Sequence, residues 1–221
     1  MRSKLSRSSA LALASAPASA VPPASTQPER PPKPQRIRKP PPGEIRLIGG
    51  LWKRSKLPVP AVPGLRPTPY RLRETLFNWL GQDLSGWRVL DAFAGTGALG
   101  LEAASRGAAS VVLLDQSPPL VAQMKASATR LGAAGVTVER ADALLWMSRC
   151  APATLDLVFL DPPFDTDLAY TAALAAQRLL VPGGWLFVES GRPVGEPPPG
   201  MHARRQCRMG AVVAELWQAA V

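Results

Sequence analysis

Four aspartates, Asp91, Asp115, Asp142 and Asp161, stand where apolar runs give out, in "WRVLDAF", "SVVLLD", "VTVERAD" and "LDLVFLD". A carboxylate at the C-terminal end of a strand in an open α/β sheet faces the crevice where such sheets bind ligands. Between the first two lies Gly95-x-Gly97-x-x-Gly100, in "LDAFAGTGALG". Glycines there let a ligand approach the backbone between a strand and a helix. The fourth acid continues as Asp161-Pro162-Pro163-Phe164, a carboxylate, two prolines and a ring at the mouth of a hydrophobic strand. One strand-end acid is as readily a cap on the next helix. Three on successive strands favour a shared ligand.

The glycine loop by itself suits a dinucleotide, and Asp115, twenty residues after Gly95, is placed to hold ribose hydroxyls. Asp91 weighs against a pyrophosphate, whose anionic surroundings it would crowd. It suits a cationic group such as the amino group of S-adenosylmethionine. Asp142 is then placed to accept from an adenine exocyclic amine. In the last motif, Phe164 can stack on a base taken out of its helix. The prolines stiffen the turn and leave nearby carbonyls without competing internal donors. Asp161 and a backbone carbonyl can hold the two hydrogens of an exocyclic amine and turn its lone pair toward a methyl group. That is catalysis by positioning and electrostatics.

These residues need a frame. From residue 86 strands and helices alternate, the helices "ALGLEAASRG", "PLVAQMKASATRLG", "ALLWMSR" and "LAYTAALAAQRLL" following strands in turn. Repeated βα units predict an α/β fold with a parallel sheet covered on both faces. Two closing strands about Met209-Gly210 predict an antiparallel, hence mixed, edge. Upstream, "GEIRLIGGLWKRSKLPVP" predicts a hairpin turning at Gly49-Gly50. "RPTPYRLRETLFNWL" predicts a helix with Thr68 as N-cap and Pro69 at its first position. Leu72, Leu76, Trp79 and Leu80 form its buried stripe, leaving Arg71, Arg73 and Glu74 largely off it.

Charge divides the chain further. Residues 1–43 carry +7, residues 44–80 carry +5 and the remainder −2, out of a net +10. A polyanion is therefore expected on the N-terminal third, with Arg46, Lys53, Arg54, Lys56, Arg66, Arg71 and Arg73 as candidate contacts. Residues 1–43 hold ten of the 25 prolines and no aromatic residue, which predicts a disordered tail. Its start imitates a signal peptide, but the apolar patch is thin, and a cytoplasmic protein is expected. Two cysteines, Cys150 and Cys207, and one histidine, His202, exclude a disulfide framework and a Cys/His zinc site. No apolar stretch approaches the roughly 18 residues of a membrane span. The expected organisation is a tail over 1–43, a hairpin and helix over 44–83 and a catalytic domain over 84–221.

The stretches "IRLIGGLWKRSKLPVP", "GLRPTPYRLRETLFNWL", "LDAFAGTGALGLEAASRGA" and "LDPPF", within residues 44–217, resemble the bacterial 16S rRNA (guanine-N2)-methyltransferase family. The resemblance implies a Rossmann-like, seven-stranded class I methyltransferase fold with S-adenosylmethionine as cofactor. The expected partner is 16S rRNA or the assembling 30S subunit, and a monomer without metal or membrane is expected. By position the resemblance assigns the donor site to Asp91, Gly95, Gly97, Asp115 and Asp142, with Phe93, Ala94, Thr96, Gln116 and Ala143 adjoining. It assigns the amine site to Asp161, Pro162, Pro163 and Phe164. Two positions depart from the family pattern: Pro69-Tyr70 replaces a Thr or Ser followed by Asp, and Ser117 replaces an acid. Rival readings are a methyltransferase for adenine or a protein glutamine amide, or a non-catalytic RNA-binding protein. Asp161 argues against adenine, because an ionised carboxylate only accepts, and guanine's pairing edge offers two adjacent donors.

Overall fold

The structure, a computed structural model, describes residues 43–62, 65, 68–163 and 168–221. The tail expected over 1–43 lies, but for Gly43, outside the described residues, as do Arg66 and Phe164.

Five parallel strands make the body of one seven-stranded sheet: β3 (Arg88–Asp91), β4 (Ser110–Asp115), β5 (Val136–Arg140), β6 (Leu155–Leu160) and β7 (Leu180–Ser190). β9 (Val212–Ala219) pairs antiparallel with β7, and β8 (Met201–Met209) closes that edge, giving the order β5-β4-β3-β6-β7-β9-β8. The mixed α/β sheet and the reversal at Gly210 agree with the sequence. Alternate residues of a strand face opposite sides. Val89, Leu113, Leu157, Phe159, Phe187 and Leu216 pack on one side with α1 (Tyr70–Leu80), α2 (Ala98–Ser105) and α3 (Pro118–Leu131). Leu90, Leu114, Val158, Leu160 and Val188 pack on the other with α4 (Ala143–Arg149) and α5 (Leu168–Gln177). Continued past the apolar residues, this alternation puts Asp91, Asp161 and Glu189 on the α1 side of three adjacent strands.

α5 stops at Gln177 rather than running through Leu180. The backbone at Leu179 is taken by Thr154 and Leu155, whose N–H groups donate to it at 2.8 and 2.9 Å, and Leu180 pairs with Leu155 at the start of β7.

The N-terminal segment joins the same core. β1 (Gly43–Arg46) and β2 (Lys56–Val59) form an antiparallel pair whose Ile45 and Leu57 are buried with Leu72, Leu76 and Phe77 of α1. Each fully buried side chain of that size contributes roughly 1.5–3 kcal/mol. Phe77, Phe159 and Phe187 then stack edge to face at 6.2 and 6.1 Å, fastening α1 to β6 and β7.

Three local expectations are corrected. Gly49-Gly50 is not the reversal of the hairpin. The chain turns at Leu51–Arg54, where Lys53 N–H donates to Gly50 O and Ser55 N–H to Trp52 O. Gly49 N–H instead donates to Glu102 at 2.7 Å, so the glycines dock the hairpin on α2. Thr68 is not the N-cap: the helix begins at Tyr70, Pro69 occupies the cap position and no side chain caps it. Arg73 is not off the buried stripe. It is 2% exposed, donates to Arg46 O at 3.0 Å and stands 3.9 Å from Glu102, which lies on α2.

Candidate active site

A cavity of about 600 Å³ opens at the C-terminal ends of β3, β4 and β6. The chain order reverses there, β4 lying on one side of β3 and β6 on the other. Its wall includes Phe93, Ala94, Gly95 and Thr96 of the loop into α2 and Leu99 of α2 itself, then Asp91, Asp115, Gln116, Asp161, Pro162 and Pro163.

The loop is shaped by what its glycines permit. Gly97 holds φ +77 as the cap of α2, a conformation costly for a side-chain-bearing residue. Gly100 sits where a Cβ would collide with Leu113 and lie 3.2 Å from the Cβ of Asp91. It sets the close approach of α2 to β3 and β4. Gly97 itself is behind the cavity wall, which runs through Gly95 and Thr96.

Asp91 is 2% exposed, and its Oδ2 accepts from Gly100 N–H at 2.9 Å. Burial, with the charge of Asp115 adding to it, pushes the carboxyl up to about 7 against the opposing Gly100 bond. A cation placed in the cavity would restore its ionisation. Asp115 is half-buried. Its Oδ2 accepts from Gly95 N–H at 3.0 Å and its Oδ1 from Ser117 N–H at 2.7 Å. Each oxygen retains a further acceptor position for a ligand hydroxyl.

Asp142, expected at the donor, has one partner on each carboxylate oxygen and keeps a further acceptor position on each. Oδ1 caps α4 by accepting from Leu145 N–H at 2.9 Å, and Oδ2 accepts from Gln116 Nε2 at 2.9 Å. The wall is made by Ala141 and Ala143 on either side of it, and by Gln116, which Asp142 orients.

Asp161, Pro162 and Pro163 line the same cavity from the end of β6, the strand beside β3. The Thr68 hydroxyl approaches Asp161 Oδ2 at 3.5 Å. Burial raises the Asp161 carboxyl well above the usual range, Glu189 and Asp91 raise it further, and the Thr68 contact opposes them. Sequence reasoning missed Thr68 and Glu189. The signal for Glu189 was there, since "WLFVES" ends like the other strands, with an acid two residues after a buried Phe187.

The expected polyanion contacts separate into three groups. Lys53 and Arg54 are exposed at the hairpin tip beside Leu51, which is 83% exposed, and neither has an ion-pair partner among the described residues. Arg71 is exposed on α1. Arg46 and Lys56 are exposed but flank Glu44 at 3.1 and 3.0 Å. Arg73 is withdrawn from the group, because its guanidinium is sealed against Glu102 and Arg46 O. β8 adds exposed Arg204, Arg205 and Arg208, which the regional charge balance concealed. The acids offsetting them in that balance include Asp91, Glu102, Glu189 and Glu215, all buried.

Comparison with known proteins matches residues 45–218 to the family described as Conserved hypothetical protein 95. The chain is 39% identical over 184 residues to the "Ribosomal RNA small subunit methyltransferase D" of Escherichia coli strain K12, covering 80% of this chain and 90% of that one. A solved Escherichia coli structure, 36% identical, superposes with a TM-score of 0.72 over 80% of this chain and 99% of that one. The RNA methyltransferase of Salinibacter ruber, solved with S-adenosyl-L-homocysteine, shares the fold at 18% identity and a TM-score of 0.55, over 70% of this chain and 94% of that one. The class I methyltransferase fold implied by the sequence is the one found.

Proposed function

The chain belongs to the family of the small-subunit ribosomal RNA methyltransferases D, and on that footing we propose that it methylates the exocyclic N2 of a guanine in 16S rRNA, with S-adenosylmethionine as donor. The observation that carries the reading is that one cavity is lined both by the glycine loop with Asp91 and Asp115 and by Asp161-Pro162-Pro163. Donor and acceptor chemistry meet there.

The residues fit the donor. Asp91, buried and poorly charged in isolation, is suited to its cationic ammonium group. Asp115 offers acceptors to ribose hydroxyls while holding the Gly95 N–H in place. Leu99, Leu120 and Ala143 supply apolar wall for a planar base. The bound donor supplies an electrophilic methyl group on sulfur. The rest falls to the chain: Asp161 and a carbonyl of the adjacent proline turn each accept a hydrogen bond from the guanine amine, and the lone pair is aimed at the methyl group. The amine proton released as the methyl group passes from sulfur to nitrogen leaves through Asp161 to solvent. Phe164, outside the described residues, is assigned the stacking role by its place in the motif. Guanine is favoured over adenine because the acid needs donors, and adenine's pairing edge sets an acceptor beside its amine.

The RNA backbone is assigned to Lys53, Arg54 and Arg71, with Arg46 and Lys56 flanking them and Arg66 expected alongside. A small-subunit rRNA substrate would be met in the cytoplasm, on assembling ribosomes. Incubation with methyl-labelled donor and naked 16S rRNA, 30S particles or protein, followed by mapping of the label, tests this. Label in a guanine base of 16S rRNA is expected. Label in adenine or in protein alone overturns it.

A further inference from the structure

A second pocket, of about 330 Å³, lies beside the donor cavity and shares Pro162 and Pro163 with it. Tyr170 of α5 and Arg192, two residues past the end of β7, line it too, as do Glu189 and Ser190. Among the described residues, neither Asp161 nor any residue of the glycine loop lines it. The donor and the reacting amine therefore belong to the first cavity, and the second is left for something else.

Its lining sets the chemistry of an occupant. The buried residues of α5 are the small Ala172, Ala173 and Ala176. Tyr170 lies off that stripe and is 40% exposed, so the core does not account for its ring. An accessible ring offers a flat face to a nucleobase, and every base has such a face. Arg192 is exposed and brings a fixed positive charge suited to a phosphate. Glu189 opposes that charge only in part. It is 3% exposed, and burial pushes its carboxyl up to about 7 against a Thr68 hydrogen bond.

Position says which nucleotide. The hairpin-tip cations are far from the target: Leu51 N–H donates to Ser105 O at 2.7 Å, at the end of α2 remote from the glycine loop. Eight residues of helix, about 12 Å, lie between. Arg192 instead follows the C-terminal end of β7, the end of the sheet where the cavity opens. The strand register carries that end outward, with Ser190 opposite Val213 and Val213 opposite exposed Arg208.

We propose that this pocket binds the nucleotide next to the target base in single-stranded RNA, with its base stacked on Tyr170, its phosphate on Arg192 and the strand leading on toward Arg208. The proline turn then stands between two neighbouring bases, one presented to the donor and one held aside. Holding the neighbour keeps it from restacking on the target while the amine is in place. The inference rests on the methylated group being a base of 16S rRNA, as in the reading above.

The full chain is titrated, by fluorescence anisotropy, against a single-stranded oligoribonucleotide carrying the guanine mapped by the label. Abasic residues are placed in turn at the target and on its 5′ and 3′ sides. Removing one of the two neighbouring bases should weaken wild-type binding about 5- to 100-fold, as for the loss of one stacked base. Removing the other should have little effect. Tyr170→Ala should bind the intact strand as weakly and lose nothing further on the abasic one, whereas Tyr170→Phe keeps the ring and should bind like wild type. Arg192→Ala should lower the salt slope by about 0.7 units, as for one phosphate of a single strand. None of these variants should change S-adenosylmethionine affinity. A wild type indifferent to both neighbours, or a Tyr170→Ala variant still sensitive to them, overturns the proposal. Tyr170→Ala losing its effect only on the strand abasic at the target would give the pocket to the target base and overturn it as well. Label found in adenine with the neighbour still coupled to Tyr170 overturns the guanine reading and leaves the pocket standing.

Discussion

The guanidinium of Arg73 stands 3.9 Å from the carboxylate of Glu102, and neither side chain reaches solvent. Glu102 also accepts from Ile48 N–H and Gly49 N–H, each at 2.7 Å, and from Arg106 at 2.8 Å. One buried acid thus gathers the hairpin, α1 and α2. Desolvation lowers the Arg73 guanidinium below its ordinary value while Glu102 opposes the shift. Arg73→Ala should cost about 3 kcal/mol of stability, as expected when one partner of a buried pair is removed. Arg71→Ala, exposed on the same helix, should stay within about 0.5 kcal/mol. Urea midpoints compare them, and equal midpoints would return Arg73 to the surface.

The RNA contacts expected at the hairpin tip are separable from that scaffold. Replacing Lys53 and Arg54 by Ala should weaken binding to 16S rRNA and reduce the salt slope by about one unit for each phosphate no longer neutralised. Donor affinity and unfolding should not change. A double variant with the wild-type slope across a salt series would move the RNA surface elsewhere, with Arg204, Arg205 and Arg208 on β8 as the next cations to test.

The distribution of these cations shows where the sequence was legible. Strand-end acids and the glycine spacing are local signals, and they located β3, β4, β6 and the loop into α2 correctly. Arg73 misled because the helical stripe was drawn around leucines, whereas a long polar side chain was buried by a partner 29 residues on. Thr68 misled for a related reason. Its type fits a cap, but its hydroxyl is drawn to Asp161, 93 residues away. Asp142 shows the opposite case, in which the local preference for capping is met. Glu189 was readable from alternation along β7, but its meaning required knowing that β7 lies beside β6.

Asp115 carries two duties that one substitution can separate. Asp115→Ala removes the acceptor for the Gly95 and Ser117 N–H groups as well as the expected ribose contact, and donor affinity should fall by about 1.5–3 kcal/mol. Asp115→Asn keeps one acceptor oxygen and should lose less. Titration calorimetry with S-adenosylmethionine checks both, and unchanged affinity in the Ala variant would remove Asp115 from the donor site.

Asp161→Ala should slow single-turnover methylation by roughly 10²–10³-fold, as when one preorganised polar partner is removed, while donor affinity barely moves. Asp161→Asn is the sharper comparison, because it exchanges an acceptor oxygen for a donor nitrogen at constant shape. If the site must accept from guanine, the Asn variant should fall nearly as far. A wild-type rate in that variant would show that a neutral amide suffices and would remove the argument for guanine over adenine.

The pH dependence of the ligand-free protein should betray Asp91. Its carboxyl is pushed up to about 7 in the fold from an ordinary value of 3.8. Between those limits the native protein holds a proton that the unfolded chain has released, so stability falls as pH rises through the window. Below about 4 both states are protonated and the dependence ends; above about 7 the full penalty is present. Asp161 and Glu189, raised in the same direction, add to the slope. Asp91→Asn should therefore flatten the curve without abolishing it, and at pH 8 should be more stable than wild type by on the order of 2–4 kcal/mol. Donor binding carries the opposite sign. A cation needs the ionised form, so wild-type affinity should weaken by up to about tenfold per unit as pH falls below 7, and the Asn variant should bind weakly at every pH. Thermal unfolding and calorimetry from pH 5 to 8 read both curves. A wild type whose ligand-free stability rises toward pH 8 would show that Asp91 is ionised without a ligand, and the cationic end of the donor would have to be placed elsewhere.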